Sequence, residues 1–399
     1  MDKKTQVRFA TICARENHDT DNGSPHILPI HATSAFSYTS IDDSIEVFSG
    51  QQEGFVYSRF GNPTVESVQN KLVALETIDI EENGFCIMTN SGMSAISTLC
   101  SSLLKSGDAL LTSTKLYGGT SEVFSKVLAH NGIKVIYVDF KDKEKVISKL
   151  SKHSNIKLIY FETPTNPTLS CLDIKSITAI AESHSILTAV DNTFATCYLQ
   201  RPLTLGVDFV IYSTTKFLNG HGNSIAGAII GKDASHRKTI WTYMKLMGSN
   251  CNPFDAWLVH NGLKTLPLRM DKHSSNALAL AQFLEKHPKV KKVNYPGLES
   301  FSDYRIAMNQ MSQYGGMLSF EIDGSLSDAK KFMDNTRLAS ITSTLGNTDT
   351  LLLHPVTSSH LNIPKEIRLA NGITDGLIRV SVGIEAVEDL IEDFDLGLK

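Results

Sequence analysis

Residues 208–223 read DFVIYSTTKFLNGHGN. Phe209, Val210, Ile211 and Tyr212 form a short apolar run, the pattern of a parallel strand covered on both faces. Three hydroxyl residues follow, and Lys216 then falls at the carboxyl end of the expected strand. In open α/β sheets that end is where ligands bind. Taken alone, a lysine after a turn is more often simply solvated. The other strand ends of this chain carry polar residues too, and they change the balance.

At 399 residues the chain can bury a large core and divide into two domains with an additional arm. Apolar residues at 41% and charged residues at 20% are ordinary for a globular protein. A net charge of −4 offers no footprint for nucleic acid. No apolar run reaches the roughly 18 residues of a membrane span. The opening MDKKTQVRFATICAREN is too polar for a secretory signal, so a cytoplasmic location is expected. Cys13, Cys86, Cys100, Cys171, Cys197 and Cys251 show no CxxC pair and no ligand-like spacing with histidine. They read as buried reduced thiols, with no metal implied. No internal repeat or low-complexity tract interrupts the chain.

The first 60 or so residues, rich in Ser, Thr, His and Pro, read as an extended arm with one short helix. From Pro63 the pattern changes: PTVESVQNKLVALE carries a helical stripe of Val65, Val68, Leu72 and Leu75, started by proline in the first turn. Apolar strand candidates then alternate with helical stretches: GFCIMT (84–89), DALLTS (108–113), IKVIYVD (133–139), IKLIYFE (156–162), ILTAVDN (186–192), DFVIYST (208–214) and IAGAIIG (225–231). Such alternation predicts an α/β fold built on a mainly parallel, doubly wound sheet. After about residue 258 a long helical segment, LRMDKHSSNALALAQFLEKH, precedes VKKVNYPG, GGMLSFEID and LIRVSVGIE, which suggests a smaller α+β domain.

A ligand site in such a sheet is assembled from strand ends. ILTAVDN places Asp191 at the end of an apolar run, where a carboxylate is costly unless paired; a protonated heterocyclic nitrogen is one good partner. IKLIYFETPTNPT ends at Glu162 and continues into a proline-framed loop presenting Asn166. NSGMSAISTL opens a helix with Ser91 and Gly92, whose amides could cradle a phosphate. Tyr117 is followed by two glycines and Thr120. Each has a plainer reading as cap, turn or core residue, but their joint appearance at successive strand ends makes coincidence improbable.

Pyridoxal phosphate catalysis needs this set. A lysine amine condenses with the cofactor aldehyde. A carboxylate keeps the pyridine nitrogen protonated, so that the ring accepts electrons. Lys216, Asp191, Ser213 with Thr215, Ser91 with Gly92 and Met93, and a stacking Tyr117 fill the roles in turn. A nicotinamide fingerprint is absent, because GHGNSIAG has Ile225 where the third glycine belongs. A cofactor-free scaffold protein would have no use for Lys216 and Asp191 together.

These landmarks resemble the pyridoxal-phosphate enzymes of cysteine and methionine metabolism. VYSRFGNPT, NSGMSAI, LYGGT, FETPTNPT, VDNTF, YSTTKFLNGHG, NPFDAWLVHNGLKTLPLRM, LHPVTSSH and LIRVSVGIE carry the resemblance nearly end to end. It implies the aspartate-aminotransferase-like fold type I, with an arm at 1–60, a cofactor domain at 61–258 and a C-terminal domain at 259–399. Tyr57 and Arg59 match residues that reach the phosphate of the neighbouring subunit, which implies an obligate dimer and a homotetramer. Arg379 matches the clamp for the substrate α-carboxylate, suited to a bidentate contact. Asn166 matches a residue near the cofactor's phenolic oxygen and that carboxylate. Lys216 would be both cofactor anchor and base, and Tyr117 would help protonate a leaving group.

The reaction implied is γ-elimination or γ-replacement on sulfur-containing or O-acylated homoserine-type amino acids, with a methionine γ-lyase-like activity expected first. The alternatives are an O-acetyl- or O-succinylhomoserine sulfhydrylase or a cystathionine γ-synthase, and after them a cystathionine lyase. Cystathionine-using members commonly have a glutamate just before Ser-Leu-Gly in the C-terminal domain. Here TSTLGN puts Ser343 there and Thr344 at the serine position, among the expected substrate-binding residues. Methionine γ-lyases usually carry a cysteine where this chain has Gly119. LRMDKHSSNALALAQFL and MSQYGGM resemble methionine γ-lyases closely, and many sulfhydrylases have glutamine in place of Met93.

Overall fold

The fold is described from a computed structural model, over residues 7–15, 23–81 and 84–399. All seven expected strands form: β1 (Phe85–Thr89), β2 (Ala109–Thr112), β3 (Lys134–Tyr137), β4 (Ile156–Glu162), β5 (Leu187–Asp191), β6 (Phe209–Tyr212) and β7 (Gly227–Gly231). They make one sheet in the order β1-β7-β6-β5-β4-β2-β3. β3, β2, β4, β5 and β6 pair in parallel, and β7 is antiparallel to both β6 and β1. The mainly parallel reading holds.

Alternation along each strand feeds two apolar layers. Phe161, Val190, Val210 and Tyr212 belong to one, with Val68 and Leu72 of helix Pro63–Glu76. Tyr160, Ala189, Phe209 and Ile211 belong to the other, with Ile96 and Leu99 of helix Gly92–Leu103. Because side chains alternate with period two, Glu162, Asp191 and Ser213 continue the second layer beyond the strand ends. Helix Pro63–Glu76 starts as its sequence predicts: the Asn62 side chain accepts from the Thr64 amide, and Val65, Val68, Leu72 and Leu75 are buried.

The C-terminal part carries the expected strands β8 (Val290–Asn294), β9 (Met317–Ile322) and β12 (Leu377–Ser381), and two shorter ones, β10 (Ser340–Ile341) and β11 (Leu351–Leu353). The five form a second sheet in the order β10-β11-β12-β9-β8, antiparallel except at β10–β11. Helix Pro253–Leu263 spans the residue where the sequence changes character, and helix Leu266–Lys286 follows it.

Two described helices stand in the arm where one was expected, Phe9–Ala14 and Ile41–Ser49. The second has a proper Ser40 cap and a Gly50 stop, but Ile41, Ile45 and Phe48 lie outward at 78%, 60% and 64% exposure. Among the described residues that apolar stripe is largely uncovered, Phe48 meeting the Tyr38 ring at 6.2 Å between centroids. Part of the expected arm, residues 1–6 and 16–22, lies outside the described residues.

The turn bearing Lys216 is fixed by a buried arginine. Arg269 donates to the carbonyls of Phe217 (2.7 Å), Leu218 (3.3 Å) and Gly262 (2.7 Å) and to the Thr265 hydroxyl (3.1 Å). Gly220, at φ +74°, lies so close that an added Cβ would stand 2.0 Å from the guanidinium.

Gly227 meets a similar constraint where β7 passes the start of helix Gly92–Leu103. A Cβ there would lie 2.3 Å from the Ser91 carbonyl oxygen, a backbone atom with no freedom to swing aside. Gly227→Ala should therefore cost about 1–3 kcal/mol, read as a lowered thermal midpoint in differential scanning calorimetry.

Candidate active site

A cavity of about 280 Å³ opens at the carboxyl ends of β4, β5 and β6, roofed by residues of the C-terminal part. At one end, Ser91 caps helix Gly92–Leu103 by accepting from the Ser94 amide at 3.1 Å, and the Ala95 amide donates to the Ser91 carbonyl at 3.0 Å. The amides of Gly92 and Met93 precede that bonding and are left at the mouth of the helix dipole, a ready anion site. Gly92 must be glycine: a Cβ would stand 2.7 Å from that of Ser213. Ser213 and Thr215 line the same end. The Thr215 hydroxyl is held by Ala226, donating to its carbonyl and accepting from its amide, both at 3.1 Å.

Lys216 projects into the middle of the cavity. Its Nζ donates to the Thr344 hydroxyl at 3.1 Å. Burial, aided by the Arg379 charge, brings its ammonium down to about 8. Asp191 accepts from the Thr193 amide at 3.0 Å, and burial raises its carboxyl above the usual range. No cation among the described residues offsets that carboxyl, which suits it to a cationic ring nitrogen supplied from outside the chain. Tyr117 stands at the rim, 43% exposed. Its amide donates to both oxygens of Glu162 at 2.9 Å. Gly119 gives the ring its room, since a Cβ there would lie 2.7 Å from it.

At the far end Arg379, 3% exposed, reaches in from β12. It donates to the Thr344 carbonyl at 2.9 Å and to Asn166 Oδ1 at 3.4 Å, while its buried Nε has no partner. Burial lowers the guanidinium to about 10. A buried cation facing only neutral acceptors is costly, and an arriving carboxylate offsets that cost.

The cavity thus gathers Ser91, Gly92, Met93, Tyr117, Asn166, Asp191, Ser213, Thr215, Lys216 and Arg379, with Thr344 bonded to two of them. Tyr57 and Arg59 are not among its lining residues. Arg59 lies over the Tyr57 and Phe60 rings, 5.7 and 5.1 Å from their centroids, and donates to the Lys245 carbonyl at 2.6 Å. Tyr57 is 42% exposed. Glu162, Phe194, Ile225 and Leu345 line the cavity without having been assigned to it from sequence. Glu162 was the one with a signal, a second carboxylate ending an apolar strand.

An anion cradle, a carboxylate lacking a cation, a desolvated lysine and a buried arginine, set on a mainly parallel sheet with a second smaller one, define a fold type I pyridoxal-phosphate enzyme of α/β architecture. The chain belongs to the family of Cys/Met metabolism PLP-dependent enzymes, whose family model matches residues 10–399. It is 41% identical to the L-methionine gamma-lyase of Fusobacterium nucleatum subsp. nucleatum over 374 residues, 93% of each chain. It is 39% identical to the cystathionine beta-lyase of Lactococcus lactis subsp. cremoris over 99% of each chain. The crystal structure of cystathionine gamma-lyase from Lactobacillus plantarum complexed with L-serine superposes with a TM-score of 0.90, at 35% identity and 98% coverage of each chain. Among the described residues no helix is long and apolar enough to cross a membrane.

The lowered Lys216 ammonium carries a pH consequence. Only the neutral amine can attack an aldehyde, and its fraction grows as pH rises through about 8. Reloading of the cofactor-free protein with pyridoxal phosphate, followed by stopped-flow absorbance, should accelerate from pH 7 to about 9 and then level.

Proposed function

We propose that this chain is a carbon–sulfur lyase that eliminates the γ-substituent of methionine-type amino acids. The observation that carries the reading is the pairing of Arg379, buried without an acid, with Lys216 in one cavity whose roof contributes Ser343 and no carboxylate. The first anchors an α-carboxylate. The roof places no carboxylate where cystathionine would bring its distal ammonium, and the carboxyls that do line the cavity, Glu162 and Asp191, stand at the ends of β4 and β5. The methionine γ-lyase relatives support the same choice.

In this reading Arg379 and Asn166 hold the substrate carboxylate and present its α-carbon to Lys216. The Lys216 amine takes the proton from that carbon and returns one further along the side chain, with the Thr344 hydroxyl keeping Nζ in place between transfers. Ser91, Gly92, Met93, Ser213 and Thr215 hold the cofactor phosphate, and Asp191 holds a proton on its ring nitrogen. Bound there, pyridoxal phosphate supplies the electron sink for the carbanion. Tyr117 covers the outer side of the site and donates a proton to the departing sulfur.

Supplied with L-methionine and water, the enzyme should release methanethiol, ammonia and a four-carbon α-keto acid in equal amounts, measured by thiol and keto-acid assays. Lys216→Ala should abolish this while leaving the circular dichroism unchanged. The second reading, γ-replacement by a sulfhydrylase or synthase, draws on Gly119, which stands where methionine γ-lyases usually carry cysteine. Formation of homocysteine from O-acetylhomoserine and sulfide, with no keto acid from methionine, would establish that reading instead.

We infer further that the site is completed by a second copy of the chain. Tyr57 and Arg59 sit on the arm outside their own cavity, and the uncovered apolar side of helix Ile41–Ser49 lies on the same arm. Arg59→Ala should weaken phosphate binding by roughly 1.5–3 kcal/mol. Inactive Arg59→Ala chains exchanged with inactive Lys216→Ala chains should recover about a quarter of parental turnover, because half the dimers are hybrids with one intact site. Hybrids confirmed by mass spectrometry yet inactive would contradict the shared site.

A further inference from the structure

Glu162 has no place in the chemistry above, yet it lines the same cavity. It ends β4 directly beside Asp191 at the end of β5, the two being register partners in parallel strands. Neighbouring strands run about 4.8 Å apart, and the alternation of each strand turns both carboxyls to the same face. Both line the cavity. The buried Thr120 hydroxyl and Tyr160 phenol border the pair, and no cation among the described residues offsets either member. The two nearby cations are committed elsewhere, Lys216 to the Thr344 hydroxyl and Arg379 to the Thr344 carbonyl and Asn166.

Two desolvated carboxyls so placed cannot both ionise, and one proton stays with the pair. Asp191 is the better site for the charge. It is half-buried, opens on the space where a cationic ring nitrogen would arrive and accepts the Thr193 amide. Glu162 is 5% exposed, and the Tyr117 amide donates to its two oxygens. That bond matters because Tyr117 leads into two glycines. Gly118 is pressed on the Ser359 carbonyl and Gly119 on the Tyr117 ring, so neither could carry a Cβ without displacing the segment.

We propose that Glu162 is a positioning residue: its carboxyl fixes Tyr117 through the main-chain amide and stays protonated, leaving Asp191 to carry the pair's single negative charge. The proposal rests on the reading of Asp191 as the partner of the ring nitrogen. It separates two jobs that a pair of acids could otherwise confuse. Asp191 provides charge, and Glu162 provides an acceptor of fixed position.

The test is titration of cofactor-free protein with pyridoxal phosphate, with affinity read from the visible absorbance change. Glu162→Ala should weaken binding at least about tenfold, and Glu162→Gln, neutral and still an acceptor, should return it to within about threefold of the parent. In a Tyr117→Ala background the Glu162→Ala loss should shrink to under about threefold, since the residue then has nothing to position. The proposal is overturned if the glutamine variant binds as weakly as the alanine variant, or if the alanine loss is undiminished without the Tyr117 ring. Should the alanine chains not fold, the glutamine variant alone decides whether a charge on Glu162 is needed. Asp191→Asn binding at parental affinity would overturn the underlying reading of Asp191 instead, and the same titration tells that failure from the other two.

Discussion

The parallel pairing of β4, β5 and β6 is the constraint on which the rest of the molecule depends. It aligns Glu162 with Asp191 and Asp191 with Ile211, so that three chain segments far apart in sequence leave the sheet at one edge. Strand interiors are largely apolar on both faces, and the carboxyls of Glu162 and Asp191 stand at the strand ends. A sheet of this kind has one place to put its chemistry, and the cavity is that place. The antiparallel β7 serves the same end. Its passage beneath Ser91 sets the height of the helix start proposed to hold the cofactor phosphate, and only a glycine permits so close an approach.

Charge within the cavity is held in a state of incompletion. Arg379 is buried against carbonyl and amide oxygens, and no cation among the described residues offsets half-buried Asp191 or buried Glu162. Each costs folding free energy that a purely structural protein would avoid. Arg269, a buried cation, gathers three carbonyls and a hydroxyl to hold the turn that carries Lys216. The lysine is thereby kept rigid at its base and poorly solvated at its tip, a combination that lowers its ammonium and frees its amine for work.

The arm differs in kind from the rest. Its second helix has a good cap and stop but shows its apolar stripe to solvent, and Arg59 is held by cation–π contacts and a Lys245 carbonyl, and by no acid among the described residues. These features are incomplete within one chain in the same sense as the cavity. In the proposed reading the cavity takes a small molecule and the arm meets a second copy of the chain.

Sequence alone determined the seven strands of the large sheet, the helix from Pro63, and eight residues that line one cavity. These were legible because apolar runs, proline starts and strand-end polar residues are local signals, and a parallel sheet converts local strand ends into a shared site. The assignment of Arg379 and Asn166 came through resemblance, since no local pattern marks an arginine in β12 as facing a cavity formed by β4 to β6. Tertiary structure alone decided the short strands β10 and β11 and the pairing of Glu162 with the Tyr117 amide. Ile41, Ile45 and Phe48 of the second arm helix did fall at helical spacing, but a strand of two or three residues has no period at all. The Glu162 contact spans 45 residues, so it exists only once β4 and the Tyr117 segment have been brought together by folding.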